Sequence, residues 1–188
     1  MDNQKTTDME EKEPKGKLWA LFSNIELLAV AAAVVLLFFT FVGRITVVEG
    51  GSMEDTLNGG DKLVVSDLLY TPERGDIVII QSPLVNDGNA IVKRIIALGG
   101  DTVEIRTGGV YVNGTLLHET DGSEGYTIAP SLYRYMSPIK VPEGEVFVLG
   151  DNRAVSLDSR SFGTVEENAI IGRVLFRLTP FSAFGAVD

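Results

Sequence analysis

Residues 75–99, GDIVIIQSPLVNDGNAIVKRIIALG, contain two runs rich in valine and isoleucine, separated by proline, asparagine, aspartate and glycine. β-Branched residues favour strands, and the residues between the runs favour turns. Similar runs recur through residues 44–178, and they predict an all-β domain of antiparallel sheets. The predicted strands lie in RITVVEG, DKLVVSDLL, GDIVIIQS, AIVKRIIALG, DTVEIRT, GVYVNGTLLHE, GEVFVLGD and IIGRVLFRL.

Three segments near these strands have other patterns. Asn113-Gly114 lies between apolar residues, and this pair is typical of a two-residue hairpin turn. Residues 120–144 contain turn residues without clear periodicity, which predicts a long loop or a small lobe. Residues 165–170, VEENAI, are the one candidate for a helix in this part of the chain.

An apolar run, IELLAVAAAVVLLFFTFV, occupies residues 25–42, with Glu26 as its one charge. At about 1.5 Å of rise per residue, a helix of this length spans close to the thickness of a hydrocarbon layer. A buried core helix would have a polar face, and a cleaved signal peptide would end in an Ala-x-Ala site. The run has neither feature, so we expect a retained transmembrane anchor over residues 25–43.

The charges beside this run predict its orientation. Residues 1–24 are mostly polar with mixed charge, which predicts a disordered tail. The lysines of this tail are Lys5, Lys12, Lys15 and Lys17, whereas Arg44 is the one basic residue shortly after the run. By the positive-inside rule the tail is cytoplasmic, and residues 44–188 form an extracytoplasmic domain at the plasma membrane.

Composition excludes several kinds of site. The chain has no cysteine, so disulfides, thiol nucleophiles and thiolate metal sites are excluded. Its single histidine, His118, excludes a metal site built from several imidazoles. The net charge of −10 argues against a non-specific nucleic-acid binder, which needs a basic surface.

Ser52 lies in EGGSMEDTL, residues 49–57, where two preceding glycines leave its hydroxyl accessible. A serine nucleophile needs a base, because its hydroxyl is almost never ionised at neutral pH. We interpret His118 as a surface histidine, since it lies among polar residues without an aspartate to orient it. The lysines outside the tail are Lys62, Lys93 and Lys140.

Lys93 differs from the other two lysines, which lie in polar turns. By the two-residue period of a strand, Lys93 shares a face with Ile91, Ile95 and Ala97. An amine on an apolar face loses hydration, which lowers its pKa and allows it to act as a base. From this stretch alone, the alternative is a lysine that extends from a strand edge into water.

A third polar stretch, LGDNRAVSLDSRSFGTV, occupies residues 149–165 directly after an apolar run. It contains more polar side chains than a turn needs. Asp158 and Arg160 can form an ion pair, and a serine hydroxyl here can hold an uncharged lysine in position.

Together, the apolar run, GSMEDTL, RGDIVII, VKRIIALGGD and GDNRAVSLDSRSFG resemble the type I signal peptidases, which are serine-lysine enzymes. The resemblance covers most of residues 25–177. The single anchor resembles the Gram-positive form, and the lysine base resembles the bacterial enzymes rather than the eukaryotic ones, which use histidine. It implies a membrane-anchored endopeptidase that cleaves secretory preproteins after small residues of the Ala-x-Ala type. The implied enzyme uses no metal or cofactor, binds preproteins and the lipid membrane but no nucleic acid, and is monomeric.

The resemblance also implies residue roles. Ser52 matches the nucleophile and Lys93 the general base, and the Ser52 N–H would contribute to an oxyanion hole beside Gly50. Ser156 matches the serine that orients the lysine, while Asp158 and Arg160 match a structural ion pair. The residues that match the family's substrate pockets are Val48, Met53, Leu57 and Ile91.

Two residues depart from the family pattern, since Asp55 and Gly99 stand where the family has proline. Both changes loosen a turn that proline would restrict. Three alternatives remain open: a self-cleaving repressor-type protease, a peptidase specialised for pilins or other surface proteins, and a non-enzymatic anchored β domain. The first would carry a DNA-binding region and no membrane span.

Overall fold

The computed structural model describes residues 17–41, 43–54, 56–83, 85–106, 109–117 and 135–187. The contacts within the chain divide it into two units, residues 1–39 and 40–188. Helix α1 extends over Lys17–Phe41. It therefore includes residues 17–24, which the sequence analysis assigned to a disordered tail, because the apolar residues 18–22, LWALF, favour a helix.

The described part of the chain contains no helix that combines the length and the apolar character needed to cross a membrane.

The domain after α1 is built from β-strands. They are β1 (Arg44–Val47), β2 (Lys62–Ser66), β3 (Ile77–Ile80), β4 (Ile91–Leu98), β5 (Thr102–Arg106), β6 (Gly109–Val112), β7 (Thr115–Leu116), β8 (Met136–Lys140), β9 (Glu145–Leu149), β10 (Val165–Glu166), β11 (Ile170–Thr179) and β12 (Gly185–Ala186). Their described pairings are antiparallel, so the predicted class of this domain is confirmed.

The strands form two sheets. The larger has the order β1–β2–β11–β3–β4–β9–β10, with β12 paired to β11, and the smaller has the order β7–β6–β5–β8. In the larger sheet, Lys93 on β4 lies opposite Val78 on β3, and Arg94 lies opposite Leu149 on β9. Leu149 is the last residue of β9, so the polar stretch that follows it begins beside Lys93 and Arg94.

Strand β4 contains a bulge. Ile95 pairs with Val148 and Ala97 with Phe147, which leaves Ile96 as an extra residue on β4. A bulge changes the alternation of side chains between the two faces of a strand. The prediction that Ala97 shares the face of Lys93 is therefore wrong, and Ala97 packs in a different apolar cluster from Ile95.

The loop between β1 and β2 is packed against the core. Met53 and Leu57 are fully buried in a cluster that also contains residues of β2, β3 and β11. Burying a side chain of this size stabilises the fold by about 1.5 to 3 kcal/mol. These two residues therefore hold the segment that carries Ser52 against the sheet.

Three local features differ from their predictions. Strand β8 lies within residues 120–144 and pairs with β5, although its side chains lack the alternating burial that marks a strand in a sequence. Helix α2 (Ser159–Phe162) was not predicted, but Asp158 caps it at the start and Gly163 follows its end. Residues 165–170, the candidate helix, instead form β10, a 3₁₀ helix over Glu167–Ala169 and the first residue of β11. Residues 118–134, including His118, lie outside the described residues.

The turn between β4 and β5 explains why glycine rather than proline stands at position 99. A Cβ atom at Gly99 would lie 2.9 Å from the Glu143 Cα and 3.0 Å from the Pro142 carbonyl oxygen. A proline could enter this turn only if the neighbouring backbone moved.

Candidate active site

The structure brings Ser52 and Lys93 together. Ser52 lies in the loop between β1 and β2, and Lys93 extends from β4. The Lys93 Nζ atom lies 2.7 Å from the Ser52 Oγ atom, which is hydrogen-bond distance. The Lys93 amine also donates to the backbone carbonyl of Val92 at 2.9 Å, so its position is fixed from two sides.

Lys93 is buried, with 2% of its surface exposed. This burial disfavours the ammonium form and lowers the pKa of Lys93 from 10.5 to about 8, although the Asp158 and Asp151 carboxylates oppose the shift. A serine beside an amine with this pKa has a proton acceptor at mildly alkaline pH. This geometry can support nucleophilic attack by Ser52.

The loop that carries Ser52 is held by residues far away in the sequence. The backbone N–H of Asn152 donates to the Ser52 carbonyl at 3.0 Å, and its side-chain amide donates to the Gly51 carbonyl at 3.1 Å. From β11, the Arg177 guanidinium donates to the Thr56 carbonyl at 2.9 Å. These bonds restrict the nucleophile loop on both sides of Ser52.

Asp158 and Arg160 form a bidentate ion pair. The Arg160 guanidinium donates to the two oxygens of the Asp158 carboxylate at 2.7 Å and 2.8 Å. Asp158 is fully buried, and its carboxylate also accepts from the Gly150 backbone N–H at 3.1 Å. The pair therefore orders the chain on both sides of Ser156.

Ser156 lies close to this site, but its side chain makes no hydrogen bond to Lys93, although the family resemblance implies that it orients this lysine. Within the residues that the structure describes, its buried Oγ atom has no hydrogen-bond partner. Its side chain lies against Gly150, where an added Cβ would also approach the Ser52 carbonyl oxygen to 2.5 Å. The orienting role of Ser156 stays a prediction.

The sequence did not reveal a hydrogen-bond network beside Ser52 and Lys93, which are called the dyad below. The Asp151 carboxylate accepts hydrogen bonds from the Arg94 guanidinium, at 3.0 Å and 2.9 Å, and from the Thr56 hydroxyl, at 2.6 Å. The available signal was that each residue lies near a residue already singled out in the sequence. That signal alone does not reveal that three separate segments meet at one carboxylate.

The four residues that match the family's substrate pockets do not lie in one apolar cluster. Val48, Met53 and Leu57 are buried in one apolar cluster, whereas Ile91 is half-buried and packs against another. Of these four, Ile91 is therefore the residue with surface available to a substrate. Gly50 is exposed in the same loop as Ser52, and Asp55 lies outside the described residues.

Comparisons with known proteins show the family to which the chain belongs. The family model described as "Signal peptidase, peptidase S26" matches residues 21–179. The chain belongs to the signal peptidase family. Its predicted family and its predicted nature as a serine peptidase are thereby confirmed.

Individual relatives carry the same name. The chain is 40% identical to a probable signal peptidase I-1 of Synechocystis, covering 86% of this chain and 84% of that protein. It is 35% identical to a signal peptidase I of Bacillus licheniformis, covering 96% of this chain and all of that protein. A crystal structure of a signal peptidase I from Enterococcus faecalis is 39% identical, covers 55% of this chain and 97% of that one, and has a TM-score of 0.43.

Proposed function

We propose that this signal peptidase uses Ser52 as its nucleophile and Lys93 as its general base. The observation that carries the proposal is the separation of 2.7 Å between the Lys93 Nζ and Ser52 Oγ atoms at a buried position. Lys93 is buried, whereas the side chains of Lys62 and Lys140 are exposed. A buried amine can be neutral at a pH where an exposed one is protonated.

The reaction is an acyl transfer. The neutral Lys93 amine accepts the Ser52 hydroxyl proton, and the Ser52 oxygen attacks the carbonyl carbon of the residue before the cleavage site. The Ser52 N–H, beside Gly50, stabilises the oxyanion that forms. The Lys93 ammonium then donates its proton to the leaving amine. A water deprotonated by the same lysine hydrolyses the ester and regenerates Ser52.

Preproteins with signal peptides are the proposed substrates, cleaved after small residues of the Ala-x-Ala type. The names of the relatives support this substrate class, and the family resemblance supports the cleavage pattern. Ser156, Asp158 and Arg160 hold the loop beside Lys93 in this proposal. The Asp158–Arg160 bonds support the structural part of that role.

We further propose that residues 25–43 anchor the enzyme in the plasma membrane, with the tail inside and the domain outside. The described side chains of α1, residues 24–37, are all exposed, and they include large apolar ones such as Ile25 and Leu27. Apolar side chains exposed on every face of a helix are stabilised by lipid rather than by water. An anchor would hold the domain at the surface where a membrane-bound preprotein presents its cleavage site.

The dyad is tested by assaying the full chain in detergent with a precursor that carries an Ala-x-Ala site. Ser52→Ala and Lys93→Ala should each reduce kcat/KM by about 10⁴-fold or more. The matched controls are Ser137→Ala and Lys140→Ala, because both side chains are exposed and lie away from the dyad on β8. If either dyad variant keeps activity within tenfold of the controls, Ser52 and Lys93 do not perform the chemistry.

The orientation is tested by adding protease to intact protoplasts. The proposal expects digestion of residues 44–188 and protection of the tail. Protection of the domain would contradict the proposed topology without affecting the dyad.

A further inference from the structure

Two exposed apolar side chains flank Ser156 in the segment that follows β9. Val155 is 68% exposed and Leu157 is 51% exposed, whereas the Oγ atom of Ser156 between them is buried. These two side chains are called the apolar pair below. A single apolar side chain on a surface needs no explanation, but two of them beside a nucleophile form a candidate contact surface for a ligand.

The backbone of this segment is held in place by hydrogen bonds. The N–H groups of Val155 and Ser156 donate to the Asn152 carbonyl at 3.3 Å and 3.0 Å. The Arg160 guanidinium, which pairs with Asp158, also donates to the Ser156 carbonyl at 3.4 Å. A contact surface on a restrained backbone loses little conformational entropy when a ligand covers it. The apolar pair is therefore suited to binding.

The segment lies directly against the loop that carries Ser52. The Asn152 N–H donates to the Ser52 carbonyl at 3.0 Å. The Ser156 Oγ atom and the Ser52 carbonyl oxygen both lie within 2.5 Å of the point that a Cβ atom at Gly150 would occupy, so these two oxygen atoms are neighbours. One residue of an extended peptide spans about 3.3 Å. The residues next to the bond that Ser52 attacks can therefore reach the apolar pair.

The position of Lys93 indicates which part of the precursor passes the apolar pair. In the proposed reaction the Lys93 ammonium donates its proton to the leaving amine, so the residues after the cut leave on the Lys93 side of Ser52. Burial lowers the pKa of Lys93, and of the two carboxylates that oppose this shift Asp158 has the larger effect, so Asp158 lies near the amine. Residues 155–158 are therefore on the side where the amine leaves.

The residues that match the pockets for the part of the precursor before the cut lie elsewhere. Val48, Met53 and Leu57 are buried in the cluster that holds the Ser52 loop, and Ile91 is the first residue of β4. None of these four residues belongs to the segment after β9. The apolar pair is therefore available to the residues after the cut.

We propose that Val155 and Leu157 are specificity-determining residues, which contact the first residues after the cleavage site and favour an apolar side chain there. This inference rests on the proposed roles of Ser52 and Lys93. An apolar side chain that packs on the pair removes apolar surface from water, whereas a charged one loses hydration without gaining a partner. The contact acts on the formation of the acyl-enzyme, because the residues after the cut depart in that step.

The test measures kcat/KM for the full chain in detergent with precursors that differ only after the cut. Each precursor has the same Ala-x-Ala site, followed by leucine or glutamate at the first or the second residue. Successive side chains of an extended peptide point in opposite directions, so we expect the preference at one of these two positions. At that position the wild type should cleave the leucine precursor with a kcat/KM about tenfold higher than that of the glutamate precursor.

Substitution of the pair should change this ratio. In Val155→Ser and Leu157→Ser the ratio should fall to about 2 or less, because the apolar contact is reduced. In Leu157→Lys the preference should reverse in favour of glutamate, because the new ammonium attracts a carboxylate. Ile139→Lys is the matched control, since Ile139 is 39% exposed but lies on β8 in the smaller sheet. It should keep the wild-type ratio.

The ratio separates substrate contact from a structural role. If the variants of the pair lower kcat/KM by the same factor for the leucine and glutamate precursors, the pair supports only the loop and this inference is wrong. A ratio that changes with the residues before the cut, and not with those after it, would also overturn the inference. If Leu157→Lys does not fold, the two serine variants decide the question by the same ratio.

The dyad variants distinguish this inference from the proposed function. Inactive Ser52→Ala and Lys93→Ala, together with a wild-type ratio in every variant of the apolar pair, would overturn this inference alone. Retained activity in the dyad variants would overturn the proposed function itself.

Discussion

Two connections between paired antiparallel strands are shaped in different ways. The turn Asn113-Gly114 joins β6 to β7, and residues 48–61 join β1 to β2 and carry Ser52. At the short turn, the Asn113 side chain bonds to residues 11 and 12 positions away in the sequence. In the nucleophile loop, the bonding partners of Thr56 and Gly51 lie 95 to 121 positions away. The first connection is determined locally, whereas the second depends on the folded domain.

This difference has a consequence for catalysis. A turn fixed by residues close to it in the sequence can form before the rest of the domain is complete. The loop of Ser52 acquires its shape only when β4, β11 and the segment after β9 are in place. Activity should therefore be sensitive to distant substitutions that release this loop, and insensitive to substitutions at the short turn.

Arg177→Met should have the largest effect on stability. It removes the donor to the Thr56 carbonyl and leaves the buried Asp61 carboxylate without its cation. We expect the free energy of unfolding to fall by about 3 kcal/mol, as for other buried pairs that lose one partner. The measurement is urea unfolding in detergent, with Arg106→Met at the end of β5 as control.

Arg106 is half exposed and lies over the Tyr111 ring, so its loss should cost about 1 kcal/mol or less. A similar loss of stability in both variants would contradict the idea that the nucleophile loop depends on distant contacts.

Asn152→Ala should have a smaller effect on stability and a clear effect on activity. It removes the side-chain bond to the Gly51 carbonyl but keeps the backbone bond to Ser52. We expect kcat/KM to fall about 10- to 100-fold, because displacement of a nucleophile by about 1 Å has this effect, with a loss of about 1 kcal/mol in unfolding free energy. Asn113→Ala removes comparable side-chain bonds at the short turn and should leave kcat/KM unchanged. Equal activities of the two variants would show that the Asn152 side chain does not position Ser52.

Gly114→Ala should have the smallest effect. Gly114 has a φ of +78°, and a Cβ added there would meet no atom within 4 Å. The substitution therefore introduces only backbone strain, which costs about 1 kcal/mol. Thermal unfolding should report this loss while precursor cleavage continues at the wild-type rate. A parallel loss of activity would mean that the short turn is coupled to the site.

The same contrast separates what the sequence predicted from what it did not. Alternating valine and isoleucine predicted most strands, and Asn113-Gly114 predicted its hairpin, because both signals act over a few residues. The bulge at Ile96 and the mostly exposed strand β8 lack such a local signal. Their shapes follow from pairing with β9 and β5, which are remote from them in the sequence.

Some features of the candidate site could likewise be predicted from the sequence, and others could not. Family resemblance identified Ser52 and Lys93, and the burial of Lys93 followed from its apolar strand. The meeting of Thr56, Arg94 and Asp151 could not be predicted, because it requires the register of β4 against β9 and the path of a long loop. The burial of Val48, Met53 and Leu57 is also a property of the assembled core rather than of their motif.

The central claim is that burial makes the Lys93 amine a usable base for Ser52. The most direct measurement is an NMR titration of lysine side chains labelled with ¹³C at Cε, with the Lys93 signal assigned by its absence from Lys93→Met. The account predicts a midpoint near 8 for Lys93, because burial lowers the pKa of its amine below the value of about 10.4 for an unperturbed lysine. Below its midpoint the neutral fraction falls tenfold for each pH unit, and kcat/KM should fall with it. A Lys93 midpoint near the value of an unperturbed lysine would contradict the account.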